Sequence, residues 1–312
     1  MTNNHELHVV LGASGALGNA VVQELIVRGK RVRAVNRSGV ANLPKGVELV
    51  KGDVTNSTSV CQVCQGATVV YHCVNAPYTK WPTLLAPLME GIITGAASAG
   101  ANLVYGDNLY MYGPVSGKIS PDLPYSATGR KGKTRATIAK TLMEAHQSGK
   151  VRAAIARASD FFGPMVLNSM VGEMVFRPAL EGKTVDVLGN PDVPHTYTYI
   201  KDFAKGLVTL GEHEEALGQI WHIPSAETLT TRQFIELIFQ KAEKSPKIRA
   251  VPKTIVALLA LVNPMLREIQ EMLYEFEEPF VVDSSKYEKT FGNQTTSHDR
   301  AIGETLAWFR MH

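Results

Sequence analysis

Short apolar runs alternate with helical patterns throughout the first half of the chain. We predict strands where β-branched or other apolar residues follow one another, and helices where apolar residues recur every three or four positions. The predicted strands are His8 to Leu11, Arg31 to Val35, Val47 to Lys51, Thr68 to Cys73, Asn102 to Tyr105 and Val151 to Arg157. The predicted helices are Ala16 to Val27, Ser57 to Gln65, Thr83 to Ala99 and Gly132 to Ser148. This alternation is typical of an α/β fold with a doubly wound parallel sheet.

The rhythm changes after Pro164, and helical patterns dominate from Thr230 onward. Predicted extended segments are Val185 to Leu188, His195 to Ile200 and Ile220 to Ile223. Predicted helices are Val171 to Glu181, Asp202 to Leu210, Thr231 to Lys244, Lys253 to Val262 and Pro264 to Glu275. We therefore expect a first domain at residues 1–165, with core segments also from about 195–223, and a smaller, mainly helical, partly discontinuous lobe at 166–312.

Composition and charge exclude several classes of protein. A net charge of +3 is too small to indicate a nucleic acid or a membrane surface as partner. The longest apolar stretch, Ile255 to Val262, is too short to span a bilayer, and the polar segment Met1 to His8 does not resemble a signal peptide. We expect a cytoplasmic protein. For Cys61, Cys64 and Cys73 we expect buried or half-buried thiols rather than a redox pair or half of a metal site, and no cluster of residues suggests a metal.

A glycine motif, Gly12-Ala13-Ser14-Gly15-Ala16-Leu17-Gly18, directly follows the first strand and opens the first helix. Gly12 permits a tight turn, Gly15 lets the backbone approach a pyrophosphate, and Gly18 allows close packing of helix against strand. The free N–H groups and the positive dipole end of the helix favour phosphates at this point. The sequence therefore predicts a dinucleotide site that includes Ser14, Ala16 and Leu17.

The end of the second strand selects between the two nicotinamide dinucleotides. An acid there commonly binds the ribose 2′-hydroxyl of NAD, whereas this chain has Asn36, followed by Arg37 and Ser38. Without a carboxylate nothing repels a 2′-phosphate, and a guanidinium can bind it through two hydrogen bonds. We predict NADP(H) as cofactor, with Arg37 as a plain surface residue the alternative.

The motif resembles that of the extended short-chain dehydrogenases/reductases, the group that includes NAD-dependent epimerases and dehydratases. Further landmarks are Gly52-Asp53-Val54, Tyr71-His72-Cys73-Val74-Asn75-Ala76, Arg157 to Pro164, and Tyr199 to Ala204. The resemblance implies a Rossmann fold, with Asp53 and Val54 beside the adenine. It also implies that Val74, Asn75 and Ala76 lie on the nicotinamide side.

The catalytic residues of this family are not retained. Family members carry a serine after the fifth strand, and a tyrosine and a lysine four residues apart on the next helix. The resemblance puts Asn108 at the serine position, Lys131 at the tyrosine position and Arg135 at the lysine position. Asn108 can still bind a substrate oxygen, and Arg135 can still bind ribose hydroxyls.

The missing tyrosine leaves the proton donor open. Lys131 is one candidate, because burial and the neighbouring cations Arg130, Lys133 and Arg135 would make its ammonium a stronger acid. Tyr110 is the other, because in an extended segment it would face the same side as Asn108. Solvent or the substrate's own hydroxyl is a third source. If Lys131 is functional, we also expect it to contact the cofactor. The structural alternatives are that Lys131 is a solvated surface lysine and that Tyr110 forms only a wall of the pocket.

Three further polar residues have weaker signals. We expect His72 to be a packed histidine, and Asp202 to cap the helix that it precedes. His195 is as compatible with a substrate contact as with a structural role.

These observations favour an NADP(H)-dependent oxidoreductase that reduces a carbonyl, or oxidises an alcohol, of a small and fairly apolar molecule. Apolar walls for such a substrate are offered by Phe161 and Phe162, Pro164 to Leu167, and Pro264 to Leu266. The alternatives are a nucleotide-sugar epimerase or dehydratase, and a catalytically silent protein that senses NADP(H). Relatives in this family often form homodimers through the two long helices, here Thr83 to Ala99 and Gly132 to Ser148.

Overall fold

The computed structural model describes residues 6–261 and 264–312. The chain divides into two compact units, each assembled from separate segments of the sequence. Unit 1 comprises residues 1–108, 130–157 and 203–223, and unit 2 comprises residues 109–129, 158–202 and 224–312.

Unit 1 is built around a seven-stranded parallel sheet. Its strands are β1 (Leu7–Leu11), β2 (Arg31–Asn36), β3 (Glu48–Lys51), β4 (Val69–His72), β5 (Asn102–Asp107), β7 (Arg152–Arg157) and β12 (Ile220–His222). Their order in the sheet is β12-β7-β5-β4-β1-β2-β3. The connecting helices are α1 (Ala16–Val27), α2 (Ser57–Cys64), α3 (Trp81–Ser98), α4 (Arg130–Gln147) and α6 (Ile200–Glu212). The first three residues of α6, including Asp202, belong to unit 2. The predicted Rossmann-type doubly wound sheet is confirmed.

Burial on both faces of the sheet explains why its strands read as continuous apolar runs. Val9, Val10 and Leu11 of β1 are fully buried, as expected for a parallel strand with helices on both sides. The chain order on the sheet reverses at β1, which lies between β2 and β4. Ligands of such folds bind at the carboxyl ends of the strands beside this switch point.

Unit 2 contains the helical C-terminal region and several two-stranded pairs. Its strands are β6 (Lys118–Ile119), β8 (Phe161–Phe162), β9 (Val185–Leu188), β10 (Pro194–His195), β11 (Thr198–Tyr199), β13 (Leu229–Thr230), β14 (Ile248–Val251) and β15 (Val281–Val282). Its helices are α5 (Glu173–Glu181), α7 (Thr231–Lys241), α8 (Lys253–Ala260), α9 (Pro264–Gln270), α10 (Ser285–Phe291) and α11 (His298–Met311). An aromatic core that includes Phe162, Phe176, Phe234, Phe239 and Phe309 holds α5, α7 and α11 together.

Several predicted boundaries in the second half are wrong. The segment His195 to Ile200 is not continuously extended, because α6 begins at Ile200. The helix predicted to reach Glu275 ends at Gln270, and the 3₁₀ turn Leu273–Phe276 follows. Helices α10 and α11 were not predicted individually, and Val262, the predicted end of α8, lies outside the described residues.

Asp202 does not cap α6, because the helix starts two residues earlier. Its carboxylate instead accepts hydrogen bonds from the backbone N–H and the hydroxyl of Thr296, both at 2.7 Å. An acid in the first helical turn also interacts favourably with the helix dipole. Asp202 therefore joins α6 to the segment before α11.

The three cysteines are free thiols, with Cys64 buried and Cys61 and Cys73 half-buried, as predicted. Burial raises the pKa of the Cys64 thiol to about 12. In residues 6–261 and 264–312, no group of three or more His, Cys, Asp or Glu side chains is placed to hold a metal ion. Within the same residues no helix combines the length and the apolar character needed to cross a membrane.

Candidate active site

The turn between β1 and α1 requires glycine at two positions. Gly12 has a φ of +87°, which favours glycine, and its N–H donates to the carbonyl of Val35 on β2 at 3.0 Å. At Gly18, a Cβ atom would lie only 2.2 Å from the carbonyl oxygen of Gly12. Gly12 and Gly18 therefore bring the start of α1 against the end of β1, as the motif predicts.

Neither the backbone conformation nor a steric clash requires glycine at Gly15. It has an extended φ of −80° at the N-cap of α1, and a Cβ there would meet only the Gly12 carbonyl oxygen, at 3.5 Å. The first turn of α1 contains no acidic residue, and no side chain caps the helix. The N–H groups at a helix start have no partner within the helix, so the turn is open to a phosphate where Gly15 lets it approach. The residues present fit a dinucleotide pyrophosphate.

The side chain of Asn36, at the end of β2, forms hydrogen bonds within its own turn. Its Oδ1 accepts from the N–H of Gly39 at 2.7 Å, and its Nδ2 donates to the carbonyl of Val40 at 2.9 Å. The hydroxyl of Ser38 donates to the same Val40 carbonyl, at 3.0 Å. This hydrogen-bonded turn leaves the neighbouring Arg37 side chain exposed. The side chain of Asn36 thus shapes the loop that carries Arg37.

Asp53 follows β3 and is exposed. One of its carboxylate oxygens accepts from the N–H of Thr55 at 3.0 Å and from the Thr55 hydroxyl at 2.7 Å. These bonds, with a smaller contribution from the charge of Arg37, lower the pKa of Asp53. Val54, predicted beside the adenine, is buried.

The segment after β4 is held by its own side chains. The N–H of Val74 donates to Nδ1 of His72 at 3.2 Å, and the N–H of Ala76 donates to Oδ1 of Asn75 at 3.0 Å. His72 is buried, and burial together with the charge of Arg135 lowers its pKa to about 3. His72 is therefore a packed neutral histidine.

Arg135, at the family's lysine position, lies in a buried polar cluster. Its Nη1 donates to the phenol oxygen of Tyr105 at 2.6 Å and to Oδ1 of Asp107 at 3.2 Å. Its Nη2 donates to Oδ1 of Asn75 at 3.1 Å. The guanidinium carbon lies 3.9 Å from the ring centroid of Trp81, a cation–π contact. Arg135 therefore joins β5, α3 and the segment after β4.

Asp107 connects this cluster to the neighbouring strand. Its Oδ2 accepts from Nε of Arg157 at 3.4 Å, so one carboxylate lies between two guanidinium groups, all buried. Tyr105 donates to Asp107 Oδ1 at 3.3 Å, and burial raises the pKa of the phenol. Sequence reasoning missed Tyr105 and Asp107. The available signal was their alternation on β5, which brings both side chains to one face.

Lys131, at the family's tyrosine position, is 0% exposed. Its Nζ lies 4.0 Å from the ring centroid of Tyr78, a second cation–π contact in this unit. The alternative of a solvated surface lysine is therefore wrong. Asn108, at the serine position, is half-buried and directly follows β5, which is two residues longer than predicted.

Tyr110 does not lie in the extended segment that the sequence analysis assumed, because Tyr110–Tyr112 forms a 3₁₀ helix. The predicted orientation of Tyr110 towards the same side as Asn108 is therefore wrong. Alternation of side chains between two faces applies to strands and not to this helix. Tyr110 is half-buried, and its role as a proton donor remains a prediction without that support.

Unit 2 contains a histidine–carboxylate pair, with a fully buried histidine and a partly buried carboxylate, that follows from no sequence motif. His195 Nε2 lies 2.8 Å from Oδ2 of Asp160, and its Nδ1 lies 3.1 Å from the carbonyl oxygen of Glu275. The ring stacks on Phe276 and Phe280, with centroids 5.0 and 5.2 Å away. Both ring nitrogens of His195 are therefore within hydrogen-bond distance of an oxygen, and the ring packs against aromatic side chains. This arrangement favours the structural role over the substrate contact.

The residues predicted as apolar walls differ in their burial within unit 2. Phe162 and Val166 are buried, whereas Phe161 is half-buried and Leu167 is partly exposed. The side chains of residues 264–266 lie outside the described part of the structure.

Glu275 is a further residue that sequence reasoning missed. It is 1% exposed, and its Oε1 has no hydrogen-bond partner. Burial, with a smaller contribution from the charge of Asp160, raises the pKa of this carboxyl well above its usual value. The folded protein therefore retains a proton that the unfolded chain loses above about pH 4.5.

Replacing Glu275 with glutamine tests this protonation. Because the folded pKa is raised, the stability of the wild type falls as the pH rises from about 4.5 towards the folded pKa. Glutamine resembles the protonated acid and does not titrate. We expect the free energy of unfolding of Glu275→Gln to gain on the wild type by about 1.4 kcal/mol per pH unit in that range. Urea unfolding across this range measures the difference, and parallel pH profiles would contradict the assignment.

The sheet, its switch point and the glycine turn define a dinucleotide-binding protein of the Rossmann class. Residues 8–223 match the NAD dependent epimerase/dehydratase family, so the chain belongs to that family. Its cofactor is accordingly a nicotinamide dinucleotide, and its activity is of the oxidoreductase type.

Two curated relatives cover most of the chain. The 2-alkyl-3-oxoalkanoate reductase of Shewanella oneidensis is 24% identical over 292 residues, covering 87% of this chain and 74% of that protein. The decarboxylating sterol-4-alpha-carboxylate 3-dehydrogenase of Mus musculus is 24% identical over 288 residues, covering 87% and 78%.

Solved structures confirm the fold over nearly the whole chain. The dTDP-glucose 4,6-dehydratase of Streptomyces venezuelae, with NAD and TYD bound, superposes with a TM-score of 0.80 at 16% identity, covering 98% of this chain and 97% of that one. The UDP-glucuronic acid 4-epimerase of Bacillus cereus, in complex with NAD, gives 0.79 at 16% identity, covering 98% and 99%.

Proposed function

We propose that the protein is an NADP(H)-dependent oxidoreductase that reduces a carbonyl, or oxidises an alcohol, of a small and fairly apolar molecule. The observation that carries this proposal is the turn after β2, where Asn36 is bonded within its own loop and Arg37 is exposed in place of the acid typical of NAD sites. The two curated relatives support the substrate class, because their names describe an oxo acid and a sterol acid with largely hydrocarbon bodies.

The cofactor would lie along the carboxyl ends of β1, β2 and β4. The pyrophosphate would bind at the glycine turn, the 2′-phosphate at Arg37 and Ser38, and the adenine beside Asp53 and Val54. The nicotinamide end would bind the remaining predicted residues, which are Val74, Asn75, Ala76 and Lys131. The bound dinucleotide supplies or accepts the hydride.

The chain's own residues supply the polar chemistry. Asn108 would bind the substrate oxygen, and Arg135 would stand near the nicotinamide ribose. Lys131 is the proposed proton donor, since it occupies the position of the family's tyrosine and is buried. Tyr110, solvent and the substrate's own hydroxyl remain the alternative donors.

We assign the binding of the dinucleotide and the binding of the substrate to different parts of the chain. We propose that residues 1–165, with core segments from about 195–223, bind the dinucleotide, and that residues 166–312 bind the substrate. Cytoplasmic location is part of this proposal.

Replacing Arg37 with alanine tests the choice of cofactor. We expect the Kd for NADPH to rise about 10- to 100-fold, because a charge-assisted hydrogen bond contributes about 1.5–3 kcal/mol. The Kd for NADH should change by less than about twofold. Isothermal titration calorimetry measures both values. The matched control is Arg31→Ala, at the exposed amino end of the same strand, and equal losses for both dinucleotides would overturn the role of Arg37.

The alternative is a nucleotide-sugar enzyme, the class of the dTDP-glucose dehydratase and the UDP-glucuronic acid epimerase that share this fold. The absence of a tyrosine between Arg130 and Glu144 argues against it, because removing a proton from a sugar hydroxyl needs an efficient base.

A homodimer through α3 and α4 also remains a prediction. Exposed positions on these helices include Glu90, Thr94, Lys140 and Glu144. This surface is more polar than the core of a stable dimer interface usually is.

A further inference from the structure

The cluster around Arg135 ties the sheet to the segment after β4. On one side, the guanidinium donates to Tyr105 and Asp107 of β5. On the other side, it donates to Asn75, which is exposed and lies in the segment assigned to the nicotinamide end. Arg135 itself is 5% exposed. One buried cation therefore links a strand end to a cofactor-facing loop.

Only arginine can make this set of contacts. A guanidinium holds its donors in a rigid planar fork, whereas a lysine ammonium is a compact charge on a flexible stem. Two nitrogens, Nη1 and Nη2, reach acceptors on two different elements while the plane packs on Trp81. A lysine at this position can satisfy one side of the cluster but not both.

Asp107 determines where the guanidinium is held. Its two oxygens face Arg135 at 3.2 Å and Arg157 at 3.4 Å. Removing the negative charge would leave two buried guanidinium groups close together and repelling each other. A buried charge that loses its partner is strongly destabilised, so Arg135 would leave the position in which its Nη2 donates to Asn75.

We propose that Asp107 and Tyr105 are positioning residues that hold Arg135 against Asn75 and so fix the nicotinamide end of the cofactor site. This inference rests on the proposed dinucleotide site. It explains why arginine stands where the family has lysine. The family resemblance suggests that a lysine at this position would support cofactor binding. Our proposal predicts the opposite, that Arg135→Lys impairs it.

The test compares two ligands that share the adenosine end. NADPH occupies the whole site, and adenosine 2′,5′-bisphosphate lacks the nicotinamide. In Arg135→Lys and in Asp107→Asn we expect the Kd for NADPH to rise about tenfold or more, since each loses a charge-assisted hydrogen bond. The Kd for the bisphosphate should stay within about twofold of the wild type. Arg31→Lys, an exposed arginine on β2, is the matched control and should change neither.

Each outcome of this experiment bears on the proposal. Equal losses for both ligands would show a general structural role, and unchanged or tighter NADPH binding in Arg135→Lys would overturn the proposal. If Asp107→Asn fails to fold, Arg135→Lys and Tyr105→Phe give the same comparison with the buried carboxylate intact. If the wild type does not prefer the bisphosphate to adenosine 5′-monophosphate, which differs only in lacking the 2′-phosphate, the NADP(H) assignment fails, and NADH with the monophosphate then replaces the ligand pair for this test.

Discussion

Replacing Lys131 with alanine is expected to lower kcat for carbonyl reduction by about 10²–10⁴-fold, the usual contribution of a general acid. Lys131 lies where family members carry the phenol that transfers the proton, and it is fully buried on α4. The Kd for NADPH should change by less than about threefold, because the glycine turn and Arg37 carry most of the proposed phosphate contacts. Steady-state kinetics and calorimetry on the same preparation measure the two effects separately.

Two controls separate proton transfer from packing. Lys133→Ala removes an exposed cation two residues away on the same helix and should leave kcat unchanged. Lys131→Met keeps the apolar length of the side chain and should be as inactive as the alanine variant. A small primary alkylamine should partly restore activity to Lys131→Ala. Full activity in both Lys131 variants would instead transfer the role to Tyr110 or to water.

The second large effect is expected at the glycine turn, where two alanine substitutions should impair different properties. One should weaken cofactor binding, and the other should destabilise the fold. Gly15→Ala should retain the wild-type Tm, because its backbone φ of −80° suits alanine and the new Cβ would lie 3.5 Å from the carbonyl oxygen of Gly12, an ordinary van der Waals contact. It should nevertheless weaken NADPH binding by about 100-fold or more, since the methyl group occupies the space through which the phosphates approach.

Gly18→Ala should instead disturb the fold itself. Its Cβ would lie 2.2 Å from the Gly12 carbonyl oxygen and 2.9 Å from the Ala13 Cα, both of them backbone atoms that cannot turn away. We expect a loss of stability of about 1–3 kcal/mol, the usual cost of overpacking, together with weaker binding. Thermal unfolding and NADPH titration of both variants measure the contrast. A destabilised Gly15→Ala, or a Gly15→Ala that binds NADPH normally, would contradict this account of the turn.

Sequence alone predicts the parts of this protein that depend on neighbouring residues. Helix α1 was predicted with its observed bounds because an apolar periodicity and a glycine motif both fix it locally. The sheet follows from alternation of strands and helices, which leaves few possible topologies. The family resemblance pointed to Lys131 and Arg135, but the helix predicted from Gly132 left Lys131 out, whereas α4 begins at Arg130 and contains both residues.

The contacts around these residues could not be predicted in the same way. Arg135 lies 28 residues from Asp107 and 30 from Tyr105 in the sequence, and only the packing of α4 against the sheet brings them together. The pair of His195 and Asp160, 35 residues apart, also depends on tertiary structure. Tyr110 was misplaced because a 3₁₀ turn replaces the extended segment that the argument assumed.

The central claim is that the protein reduces a carbonyl with NADPH, and its most direct test is the oxidation of NADPH and of NADH by the purified chain. The acceptors are a panel of ketones, aldehydes and quinones, with binding of both dinucleotides measured by calorimetry. We expect NADPH to bind more tightly than NADH and to be oxidised with at least one apolar carbonyl compound. Tight NADPH binding without turnover of any acceptor would contradict the claim and favour a protein that senses NADP(H).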